Sequence, residues 1–148
     1  MKKTIIYSKL LFIILIAAIQ GCSSIRLISD YDETTDKLTT EIQQKVSEVF
    51  VKIERNIGTT KAEYSNFTDQ YDDIRVLVNT LEVRANSIDK NKIVQDQVKE
   101  IISMLDNLEK LHKLKFNDVR ELTSLKDGFN RAFSAIIKLQ TGLKRGKS

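Results

Sequence analysis

From Leu38 to Leu143 the apolar residues of this chain recur in steps of three and four, the spacing that stacks side chains on one face of an α-helix. In the first stretch, Leu38, Ile42, Val46, Val49, Ile53 and Ile57 form such a face. Asp30, Asp32 and Glu33 precede it, where negative charge suits the helix dipole. Gly58 is placed to end this helix with a positive φ. The run Thr60-Lys61-Ala62-Glu63 then has the form of a capping box and predicts the start of a second helix. Its seam is unbroken: Tyr64, Phe67, Tyr71, Ile74, Val78, Leu81, Ala85 and Ile88, with Asp69, Asp72, Asp73 and Asn79 on the opposite face.

Asn86 to Asn91 (NSIDKN) is rich in turn and cap formers and predicts a break. A third helix follows on Val94, Val98, Ile101, Leu105 and Leu108. Asn117-Asp118 caps a fourth, whose seam is Leu122, Leu125, Phe129, Ala132, Ile136, Leu139 and Leu143. Phe133 and Ile137 widen that face enough to meet more than one neighbour. Four helices of roughly 25 residues, each about 37 Å long, with short links predict an all-α, antiparallel up-and-down four-helix bundle. The rival is an extended coiled coil of fused helices. Gly58 and NSIDKN speak against it, being costly inside a helix.

Ahead of this body the pattern changes. Lys2, Lys3 and Lys9 surround the start of a continuous apolar run, Leu10 to Ile19. As a helix that run reaches about 15 Å, half a bilayer core, so it reads as a signal-peptide core and not as a span. It leads into Ile19-Gln20-Gly21-Cys22, which resembles the lipobox of bacterial lipoproteins: aliphatic at −3, small at −1, cysteine at +1. The resemblance implies cleavage between Gly21 and Cys22, removing residues 1–21, and a diacylglyceryl thioether on Cys22, with an acylated new N-terminus. Ser23 stands where an aspartate tends to retain Gram-negative lipoproteins in the inner membrane. The resemblance therefore implies the inner leaflet of the outer membrane, facing the periplasm, or the outer face of the plasma membrane in a single-membrane organism. Residues 22–29 form the lipidated cysteine and a tether, and 30–148 the helical domain. Ser23 to Ser29 spans at most about 25 Å, and Ile25, Leu27 and Ile28 could lie on the bilayer, dock on the body or extend the first helix. The body is also similar to helical outer-membrane lipoproteins that begin with a Tyr-Asp-x-x-Thr-Asp stretch, here Tyr31 to Asp36, and close with a helix like Phe129 to Leu143; that resemblance brings no activity with it.

Charge alters one conclusion. The chain is formally +4, but Lys2, Lys3 and Lys9 supply three of the 24 basic residues, leaving 21 against 20 acidic ones. The case for a nucleic-acid partner falls away. A single cysteine excludes disulfide frameworks and multi-cysteine metal sites, and the absence of Pro argues against a sandwich or barrel.

Candidate chemistry is sparse. Glu109-Lys110-Leu111-His112 is an E-x-x-H sequence, but a ferritin-like di-metal centre needs two, and this chain has one histidine. His112 is instead expected near the end of the third seam, its polar edge reaching water. Met104 and His112 lie on one helix and cannot clamp a haem, and there is no glycine-rich phosphate loop. Tyr64 and Tyr71 are expected to pack with their hydroxyls at the rim, and Asp69, Asp72 and Asp73 to form a solvated face. Lys144, Arg145 and Lys147 suit a helix C-terminus, and are candidates for contact with an anionic surface such as lipopolysaccharide or cell wall. No catalytic, cofactor-binding or metal-ligating residue is assigned. The expected role is a non-enzymatic, membrane-anchored scaffold or binding lipoprotein of the cell envelope, with an envelope protein or peptidoglycan as partner. The alternatives are a helical spacer contacting peptidoglycan, similar to the small coiled-coil murein lipoprotein, and a bundle that binds a small molecule or lipid.

Overall fold

A computed structural model describes residues 28–146. They form four α-helices: α1 (Glu33–Asn56), α2 (Thr68–Asn86), α3 (Lys92–Lys113) and α4 (Val119–Arg145). Each helix packs on its sequence neighbours, and α1 closes the ring on α4. Cross-links fix the directions. Arg84 near the end of α2 reaches Asp32 at the start of α1, Arg75 on α2 reaches Glu109 near the end of α3, and Lys126 on α4 reaches Glu54 near the end of α1. The architecture is thus the expected antiparallel four-helix bundle, with no strand among the described residues.

The seams meet as their spacing requires. Ile42, Val46, Val49 and Ile53 of α1, Tyr71, Ile74, Val78 and Leu81 of α2, Val98, Ile101 and Leu105 of α3, and Leu122, Phe129 and Ile136 of α4 are buried together. Phe50, outside the expected α1 seam, is also buried and meets Phe129 edge-on with ring centroids 5.8 Å apart. Side chains of this size each contribute about 2 kcal/mol on burial.

Caps and turns define the ends. Asp32 caps α1 by accepting from the Thr35 backbone N–H at 2.8 Å. Gly58 follows α1 at φ +81, where only glycine is unstrained. Asp118 caps α4 through the Arg120 N–H, while Glu121 reaches back to the Asn117 N–H. The NSIDKN stretch is indeed the turn between α2 and α3.

Three expectations change. Thr60 to Glu63 does not open a helix: Thr60–Ala62 and Tyr64–Asn66 are separate 3-10 turns, and α2 begins only at Thr68. Other contacts hold this segment in its 3-10 form, and one of them takes the Glu63 carboxylate that a capping box would use. The Ala62 carbonyl faces His112 Nε2 at 2.8 Å, the Glu63 carboxylate takes Lys115, and the Thr60 carbonyl accepts from the Asn66 side chain. Secondly, polar residues continue two seams: Thr35 and Thr39 below Ile42 on α1, and Gln140 above Ile136 on α4, are buried. Thirdly, of the three alternatives open for Ile28, extension of the first helix falls away. Ile28 is a bend residue ahead of the Asp32 cap, and its neighbour Ser29 is buried against the α2–α3 turn.

Candidate functional site

Two polar clusters interrupt the apolar core, one at each end of the bundle. At the end where the chain enters, the Ser29 N–H donates to the Lys90 carbonyl and its hydroxyl donates to Asn91 Oδ1, both at 3.1 Å. Asn91, expected only as a cap former, is buried and also donates to the Ala85 carbonyl. The Asp32 N–H donates to Gln140 Oε1 at 3.0 Å, tying the start of α1 to the last turns of α4. Arg84 holds the Asp32 carboxyl down to about 2, with Thr35 assisting against the opposing effect of burial.

At the opposite end stands His112, only 1% exposed. Tyr64, Phe67, Tyr71 and Phe116 surround it with ring centroids within 4.8–5.9 Å. The Ala62 carbonyl is an obligate acceptor, so His112 Nε2 carries the proton; Nδ1 then accepts from the Tyr71 hydroxyl at 2.9 Å. Both ring nitrogens are committed inside the protein. Burial lowers the His112 pKa, partly opposed by the Ala62 hydrogen bond, and burial pushes the Tyr71 hydroxyl far up.

Glu109, one turn before His112, faces outward from this cage. It accepts from the Tyr64 hydroxyl at 2.6 Å, from Arg75, and from Lys113 at 2.8 Å. Burial favours its neutral form, but Lys113, Tyr64 and Arg75 together hold its carboxyl down to about 2. Arg75 also pairs with Asp106 at 2.8 Å. The E-x-x-H sequence therefore splits into an ion-pair hub and a buried hydrogen-bond bridge. Among the described residues no group of three or more His, Cys, Asp or Glu side chains is placed to hold a metal ion.

Two expectations are corrected here. The His112 edge does not reach water; the 3-10 segment folds over it. The Tyr71 hydroxyl lies in the interior, while Tyr64 alone keeps its hydroxyl near the rim, with Lys113 Nζ 4.8 Å from its ring centroid. Asp69, Asp72 and Asp73 are exposed, with Asp73 paired to Lys45 at 3.1 Å.

Of the residues singled out from sequence, Gly21, Cys22 and Lys147 lie outside the described residues, as does the 1–21 segment. Lys144 and Arg145 occupy the last turn of α4, at the end where the chain enters, and Lys144 Nζ sits 5.4 Å from the Tyr31 ring centroid. The larger surface hollows run along single outer faces, Asp127 to Lys138 on α4 and Gln43 to Arg55 on α1. A smaller one of about 240 Å³ lies between Gly58, Thr59, Ala62, Lys115 and Phe116 at the far end. No described helix is long and apolar enough to cross a membrane. No family model, curated protein or solved structure matches the chain.

Proposed function

We propose that this protein is a lipid-anchored, non-enzymatic scaffold of the bacterial envelope, its helical body standing in the periplasm from the inner leaflet of the outer membrane. The observation that carries the reading is the motif Ile19-Gln20-Gly21-Cys22, placed after a short apolar run and containing the only cysteine. The fold supports it. The buried apolar side chains of the four helices run from Ile42 to Ile136, all well beyond Cys22 in the sequence. Two or three acyl chains on one residue hold a protein firmly without a spanning helix, since each buried methylene contributes about 0.8 kcal/mol. A scaffold role, with an envelope protein or peptidoglycan as its partner, is supported by the filling of the core and by the commitment of His112 and Glu109 to internal partners.

Metabolic labelling with palmitate tests the reading. The wild-type chain should carry label and fractionate with membranes, whereas Cys22→Ser should be unlabelled and released by osmotic shock. An unlabelled wild type, or a Cys22→Ser protein that fractionates unchanged, would overturn it.

A further inference from the structure

We infer that the bundle end built from Ile28–Tyr31, the α2–α3 turn and the last turn of α4 is a membrane-seating face, pressing Ile28 and Ile93 into the lipid interface and holding the helices upright. The inference rests on the lipid-anchor reading and deepens it.

The chain enters the body at a fixed point. Ser29 is held by two hydrogen bonds to Lys90 and Asn91, and Asp32 by Gln140. Seven residues from a lipid on Cys22 confine Ser29 within about 25 Å of the bilayer. That limit alone would let the body lie on its side. The exposed side chains at this end argue for upright seating. Ile28 is 42% exposed and Ile93 is 49% exposed. They flank the Ser29 contact, Ile28 preceding Ser29 and Ile93 two residues after Asn91. Ile93 lies in the first turn of α3, where Cα–Cβ bonds lean toward the helix N-terminus and thus toward this end. Apolar side chains exposed on a face held close to a bilayer favour the headgroup–acyl boundary.

Electrostatics does not carry the contact. Lys90, Lys144 and Arg145 lie at this end, but so do Asp30, Asp32, Glu33 and Asp89, and Arg84 and Lys37 are paired there to Asp32 and Glu33. With signs so balanced, seating should survive high salt, unlike the attachment of a basic patch.

The test uses the full, lipidated chain in phosphatidylethanolamine–phosphatidylglycerol vesicles. Because acylation occupies the sole native thiol, Ile93→Cys and Leu114→Cys each offer one free thiol for an environment-sensitive fluorophore. Leu114, 71% exposed, lies at the far end of α3, about 30 Å away along the helix. Nitroxide lipids should quench the label at 93 at least about threefold more than at 114, at low and high salt alike, as expected for interfacial insertion. Equal quenching, or stronger quenching at 114, would overturn the upright seating. So would a label at 93 that is shielded from water yet untouched by lipid, which would instead indicate a protein partner there. Intact mass and detergent-phase partitioning read the lipid separately. An unacylated chain would bring down the anchor reading and this inference together, whereas an acylated chain without the quenching difference would sink this inference alone.

Discussion

His112 shows how a single polar side chain can organise an apolar end. Its two hydrogen bonds join α3 to Tyr71 of α2 and to Ala62 of the 3-10 segment. Replacing it with alanine opens a cavity and leaves a buried carbonyl and a buried hydroxyl without partners. The expected loss is about 3 kcal/mol by urea denaturation at pH 7.5. His112→Gln, which retains an amide donor, should lose less. The pH dependence has a definite sign. Burial lowers the folded pKa below the ordinary 6.5, so the unfolded chain takes up the proton first. The contribution from the neutral ring is complete above pH 6.5 and declines as pH falls from there toward the folded value. The midpoint should thus drop between pH 7.5 and 5, and this part of the slope should vanish in His112→Gln. A second decline belongs to Asp32 and Glu109, whose carboxyls are held at about 2 in the fold. Their contribution is complete above their ordinary values near 4 and is lost as pH falls toward 2. Denaturation curves at pH 7.5, 5 and 3 separate the two windows; a wild type equally stable at 7.5 and 5 would contradict the histidine assignment.

Among the elements, Gly58 beyond the end of α1 and Gly142 within α4 act in opposite senses. An added Cβ would meet nothing within 4 Å at either Gly58 or Gly142, so space does not distinguish them. Backbone conformation does: Gly58 has φ +81 just beyond α1, while Gly142 lies inside α4. Gly58→Ala should destabilise by about 1 kcal/mol, whereas Gly142→Ala should stabilise by about 0.5 kcal/mol; thermal melts of the two variants check the signs. Gly58 was legible in the sequence because a positive φ is a local demand. So were the α2 seam from Tyr71 to Ala85, the α3 seam from Val94 to Leu108 and the middle of the α4 seam from Phe129 to Ile136, where apolar spacing and burial coincide. The first turns before α2 were not: Thr60 and Glu63 have the right spacing for a cap, but the choice was made by Ala62 meeting His112, 50 residues away. Likewise Thr35, Thr39 and Gln140 continue the seams by exact helical steps, yet their polar side chains hid them from a reading that followed hydrophobicity. Their apolar neighbours Leu38 and Leu139 are only partly buried. Of the candidate site, Ile19-Gln20-Gly21-Cys22 is a linear pattern that needs no fold to be noticed, and it lies outside the described residues. The Tyr64–Glu109–Arg75 and Tyr71–His112 links were invisible as pairs, because they join residues on different helices.

At the scale of the molecule, the ring of neighbouring helices decides between a bundle and an extended coil. α1 closes on α4 through Phe50–Phe129 and Lys126–Glu54, contacts that fused, outstretched helices could not make. The polar ties are distributed to the same effect: Ser29 and Gln140 lock the entry end, and His112 locks the far end, so neither end opens without disturbing the core between them. A body of this construction should scatter X-rays as a compact particle with a radius of gyration of about 14 Å. It should also melt in one transition by helix content and by tyrosine fluorescence alike. Tyr71 is the informative reporter. Its hydroxyl is buried against His112, whereas the helical signal averages the whole bundle. If tyrosine emission of a Tyr31→Phe chain, which removes the reporter at the entry end, changed several degrees before the helical signal, the His112 end would be a separately melting unit; coincident curves are the expected outcome. Hydrogen exchange adds the spatial test. Amides of Tyr71 to Ala85 should exchange only through global unfolding, because that stretch of α2 contributes buried side chains between both locked ends.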